Sequence, residues 1–226
     1  MARIRWAVLW FVLLGGLPSL SLPADSSEPT LTVLLFNNSH ASLDTLILTK
    51  EAIDNIFRKS GIRLAWTDCP PVPGSVGERL CRDESVPGEV RVRIVDRQLK
   101  HYVADNAFGF AIPPVWATVY YEPALRLASS TTDSESNVSI ILGCLIAHEI
   151  GHLLLGKDQH TASGIMMARW DIQQIQQVMK GTLGFSRQQA ERMRMNAQRR
   201  CSCTRQHHNF TSQLLLTSHY TSMRRS

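Results

Sequence analysis

Several common signatures are missing from this sequence, and each absence narrows the reading. No internal repeat is visible, so nothing points to a repeat architecture. Aromatic residues are only 7% of the 226 and are not interleaved with the basic ones, so the net charge of +5 reads as ordinary surface charge and no nucleic-acid partner is expected. Apart from one N-terminal run, no stretch is expected to cross a membrane. Late carboxylates are scarce: Glu191 is the only glutamate after His152. Little chain lies between the N-terminal run and the first expected strand, which leaves no room for an inhibitory pro-segment.

What is present centres on Ala147-His148-Glu149-Ile150-Gly151-His152. Four residues apart on a helix, His148 and His152 leave the same face, and both imidazoles can reach one zinc ion. Glu149 projects beside them, where a carboxylate can act on a water without being a ligand. Val138, Ile140, Ile141, Leu142, Leu145 and Ile146 precede the motif, and Leu153, Leu154 and Leu155 follow it. A helix apolar on nearly every side is buried, and a buried helix carries His, Glu and His together only if something pairs them.

A catalytic zinc takes three protein ligands and keeps one position open. On a continued helix, residue 160 would lie about 12 Å further along the axis, too far to bind the same ion. Gly156 suits a left-handed turn that ends the helix and reverses the chain. His160 is therefore the expected third ligand, with Asp158 as the competing donor and Glu191 as a further alternative from a later helix.

Ser163-Gly164-Ile165-Met166-Met167 follows closely. A His-Glu-x-x-His helix, a glycine turn, a third histidine and a methionine turn resemble the metzincin class of zinc peptidases. The wording also resembles small secreted bacterial metzincin-like proteins. The resemblance spans about residues 31 to 200 and implies that Met166, with Met167 second, forms an apolar floor under the histidines. The spacing departs from the usual pattern, with three residues instead of two on either side of Gly156, and this is why Asp158 stays in play.

The opening Met1-Ala2-Arg3-Ile4-Arg5, the apolar Trp6 to Leu17 and the small residues up to Ala24 read as a signal peptide, residues 1–24, with an uncleaved anchor as the alternative. A secreted or periplasmic chain could then bridge Cys69 and Cys81. Cys144 reads as a buried thiol. Cys201 and Cys203 could bind a metal with His207 and His208, but fit better in a basic flexible tail, residues 201–226.

Between these ends, residues 25–200 are expected to form one α+β domain of the zincin/metzincin kind. It has a mixed sheet of about five strands, the active-site helix, the two turns and C-terminal helices. Strands are expected at 31–36, 62–66, 90–95, 107–112 and 117–121, with a helix capped by Ser42 between the first two. Val90, Val92 and Ile94 alternate with Arg91 and Arg93, which predicts a solvated arginine face. The polar run 129–136 reads as a loop, Asp171 as a helix cap, and Ser186 with Gln189 as a capping box.

The implied activity is hydrolysis of peptide bonds in a peptide or protein substrate. The means is a zinc-bound water, activated by Glu149 as general base. Tyr120, Tyr121 and Arg169 are candidates to stabilise the oxyanion. The chain is expected to be monomeric and free of the membrane once its leader is removed. The rivals are a peptidase completed by Glu191, a catalytically inert zinc-binding protein on the same scaffold, and a closed structural zinc site with Asp158 as fourth ligand.

Overall fold

The computed structural model describes residues 28–70, 81, 88–97 and 107–202. The expected leader and the tail from residue 203 lie outside the described residues, as does Cys203. Five strands form one sheet: β1 (Thr30–Asn38), β2 (Arg63–Cys69), β3 (Glu89–Val95), β4 (Gly109–Ile112) and β5 (Trp116–Tyr120). Their order is β2-β1-β3-β5-β4; all neighbours are parallel except β4, which runs antiparallel to β5 at the edge.

Helix α1 (Leu43–Lys59) supplies the crossover from β1 to β2. Ser42 caps it by accepting from the Thr45 amide, and Leu46, Ile53, Ile56 and Phe57 form its buried stripe. Ile47, although apolar, faces solvent. Helix α3 (Ser134–Leu155) carries the His-Glu-x-x-His motif and runs through the core, with Ile141, Leu142, Leu145, Ile146 and Ile150 fully buried. It approaches α1 closely at Gly143, where a Cβ would lie 2.8 Å from that of Ala52. By length and composition Ser136–Leu155 could cross a membrane, contrary to the sequence reading; its burial in the protein explains the apolarity.

Three further expectations change. Residues Tyr121–Ala128 form a helix, α2, on which Tyr121, Ala124 and Ala128 are buried at helical spacing. Pro123 is tolerated there because first-turn amides have no helical partner. Asp133 caps α3, so the polar run ends earlier than expected. Arg91 is not solvated. It is 1% exposed and sits in register between Leu34 of β1 and Trp116 of β5, with its guanidinium 5.5 Å from the Trp116 ring centre. The second face of the sheet is thus apolar here, and it takes in the arginine stem and planar head.

Helix α4 (Ile172–Met179) starts with a full capping box from Asp171 and Gln174. The last helix, α5 (residues 187–202), starts with the reciprocal bonds of Ser186 and Gln189. It continues through Cys201, whose thiol donates to the Thr30 carbonyl, so the chain stays ordered past the expected start of the tail. Cys69 and Cys81 form a disulfide, and Cys144 is a buried free thiol.

Candidate metal centre

The helical spacing of His148 and His152 does what geometry requires: their Nε2 atoms lie 3.1 Å apart. The chain then reverses. Gly156 ends α3 with φ 103° and ψ 167°, donating its amide to the His152 carbonyl. This is an extended conformation open essentially to glycine alone, not the left-handed helical one expected. The left-handed position falls to Asp158, with φ 60°. The reversal brings His160 Nε2 to 3.2 Å from His152 Nε2.

The donor atoms of His148, His152 and His160 all lie within 4.8 Å of one another. Nitrogens bound at about 2.0–2.1 Å to one tetrahedral ion lie about 3.3 Å apart, so the two Nε2 separations are close to those of a shared ion. His148 Nδ1 is 2.7 Å from the Ile165 carbonyl, and since a carbonyl can only accept, that nitrogen carries the proton. The lone pair is thereby left on Nε2, facing the other rings. Burial is the main cause that pushes His148 down to about 4 and also lowers His152, so both stay neutral, as ligands must. Three converging imidazoles, those of His148 and His152 held neutral, with space beside them are a site for Zn2+.

Glu149 is buried, and its Oε2 has no hydrogen-bond partner among the described residues. Burial pushes its carboxyl up to about 8. An orphaned carboxylate is expensive unless a cation or water meets it, so its position beside the imidazoles fits a bound metal. The carboxyl packs against the backbone of β4: a Cβ on Gly109 would lie 3.1 Å from Oε1 and 3.2 Å from Cγ. Only a residue without a side chain fits between them.

Met166 is fully buried under α3. A Cβ on Gly151, between the two helical histidines, would lie 2.6 Å from the Met166 sulfur and 2.9 Å from the Phe185 ring. The same segment supplies the Ile165 carbonyl, so it supports the site by packing and by hydrogen bonding. From the other side α5 braces the end of α3. Asn196 donates to the Leu154 carbonyl at 2.7 Å, Arg192 to that of Leu155 and Arg200 to that of Leu153. Last-turn carbonyls have no helical partner, and cations suit that end of the dipole. Late arginines read as surface charge therefore have structural work.

A cleft of about 430 Å³ opens on the three imidazoles and Glu149, walled by residues 107–111 along β4 and by Asp158 and Arg169. Asp158 stands in this wall but is not in the group of three. Glu191 lies on α5 and pairs with Arg187 at 3.1 Å. Of the oxyanion candidates, Arg169 reaches the cleft. Tyr120 is buried close enough to Glu149 to feel its charge, though burial is the larger cause of its raised pKa. Tyr121 is the buried first residue of α2 and does not line the cleft. Gly109, Lys157 and the Ile165 carbonyl escaped the sequence reading; a glycine in an edge strand was the one available signal.

No protein-family model matches the chain, and no curated protein does. Among solved structures it is similar to an archaemetzincin from Methanopyrus kandleri, with a TM-score of 0.50, 14% identity, and 78% of this chain and 99% of that chain covered. It is also similar to a zinc-dependent peptidase from Methanocorpusculum labreanum, with a TM-score of 0.49, 16% identity, and 71% and 99% covered. The first likeness is one of fold.

Proposed function

We propose that this chain is a zinc-dependent metalloendopeptidase of the metzincin type. The observation that carries the reading is the convergence of three Nε2 atoms beside a buried, unpartnered Glu149 in a cleft edged by an antiparallel strand. His148, His152 and His160 would hold the ion through Nε2. When bound, zinc supplies a Lewis acid that acidifies water and polarises a carbonyl. Glu149 accepts a proton from the attacking water and returns it to the leaving amine. Among the described residues the outer edge of β4 is unpaired, and its amides and carbonyls would take an extended peptide and orient the scissile bond across the site.

Support for the metzincin type comes from Met166 beneath α3, from β4 at the sheet edge and from the archaemetzincin fold. The Cys69–Cys81 bridge supports a secreted or periplasmic location, as such bonds persist in oxidising compartments. We propose a monomer acting on peptide or protein substrates.

Zinc stoichiometry of the purified chain and of two variants tests the site. One ion per wild-type chain is expected, sharply reduced in His160→Ala and retained in Glu191→Ala. The reverse pattern would move the third ligand to α5, and absence of zinc from the wild type would remove the peptidase reading altogether. Cleavage of a diverse peptide mixture by the zinc-loaded protein, against inert controls, tests the activity.

A further inference from the structure

The cleft beside the imidazoles carries two cations: Lys157, to which the hydrolytic reading gives no role, and Arg169, which enters it only as a candidate oxyanion donor. Lys157 lines it from the turn after α3, and Arg169 lines it from the segment between Met166 and α4. Both are exposed, and among the described residues neither side chain makes an ion pair or a hydrogen bond. Asp158 is the one exposed carboxylate on the same lining. Glu149 is buried in the floor. Two cations thus stand against one exposed carboxylate. Much of the remaining wall, Phe108, Phe110 and Ala168 included, is apolar. Ion attraction beside a low-dielectric wall is stronger than in open water.

We propose that this cleft selects substrates bearing a carboxylate within a residue or two of the scissile bond, gripped by the Arg169 guanidinium with Lys157 as a second positive charge. The guanidinium fork matches a carboxylate with two parallel hydrogen bonds, whereas the ammonium acts as a point charge. The inference rests on the peptidase reading of the same site and adds a substrate class to it. The carboxylate could belong to an Asp or Glu side chain or to the substrate's own C-terminus, since the recognising chemistry is the same.

Matched peptides separate these sources. One set carries Glu or Gln at each position flanking the scissile bond, and each peptide is made with a free or an amidated C-terminus. A charged hydrogen bond of this kind predicts that zinc-loaded wild type prefers the carboxylate over its amide isostere by about tenfold in kcat/KM. A preference for Glu over Gln assigns the side chain; a preference for free acid over amide assigns the C-terminus. Arg169→Gln should bring the ratio close to one, and Arg169→Glu should turn it in favour of Lys at the same position. Using the ratio cancels any general loss of turnover in these variants. The same preference should appear as tighter binding of the acidic peptides to the Glu149→Gln protein, read by fluorescence anisotropy. Equal treatment of carboxylate and amide by the wild type, or a ratio unchanged in Arg169→Gln and Lys157→Gln, overturns the inference. Hydrolysis of the neutral peptides with zinc bound shows in those cases that the peptidase reading still stands.

Discussion

Arg91 and Glu149 are both buried ionisable side chains, and they are buried for opposite ends. Arg91 lies between Leu34 and Trp116 on the second face of the sheet, where its stem and flat head complete an apolar layer. Glu149 lies in the floor of an open cleft with an oxygen that nothing among the described residues satisfies. Buried charge alone is therefore a poor sign of chemistry here. A buried charge facing a cluster of donor atoms across open space is a good one.

The contrast can be broken most sharply by a pair of substitutions. Glu149→Gln should lower peptide hydrolysis by about 10²–10⁴-fold while zinc content stays at the wild-type level. Retained activity would remove Glu149 from proton transfer. Arg91→Ala should do the reverse: a loss of about 2–4 kcal/mol in urea unfolding, as for other large buried side chains, with zinc still bound under native conditions. Wild-type stability in that variant would show that Arg91 is not part of the packing.

Between these extremes lies Gly109, which lines the cleft and packs against the Glu149 carboxyl. Gly109→Ala crowds both the Glu149 carboxyl and the Thr118 carbonyl. The expected result is a fall in kcat of about 10–100-fold with zinc retained, since small misplacements of a reacting group are costly. A change in KM alone would mean that the strand moved and the carboxylate did not.

The buried carboxylate should also leave a mark on stability. With a folded pKa of about 8 against an ordinary 4.5, Glu149 contributes stability that is present below pH 4.5 and lost as pH rises through 8. His148, held near 4 against an ordinary 6.5, acts in the other direction and is neutral in both states above pH 6.5. In the metal-free chain, urea unfolding should therefore show stability declining from about pH 6.5 to 8, and the slope should vanish in Glu149→Gln. An identical slope in that variant would assign it to other groups. The smallest effect is expected at the brace: Asn196→Ala, which frees the Leu154 carbonyl, should cost about 1 kcal/mol.

Much of this was legible along the chain because the signals are local. Helical spacing sets His148 and His152 on one face, and the apolar surround of the motif marks α3 as a core helix. Ser42, Asp171 and Ser186 announce helix starts through side-chain bonds made within three residues. Helix α2 was missed because eight residues directly after a strand, with Pro123 in the first turn, show barely two helical turns of pattern. Arg91 was misread because alternation of Val and Arg looks the same whether the second face meets water or Leu34 and Trp116.

Residue types and their spacing were sufficient to specify a metal-binding helix, its carboxylate and a chain reversal at Gly156, since each depends on neighbours within a turn or two. Tertiary packing had to supply the rest: the 3.2 Å approach of His160, the packing of Met166 against Gly151, the Gly109 wall and the cap from α5. Those contacts join residues from 8 to 42 positions apart across turns and other elements, and no local periodicity encodes the distance between them.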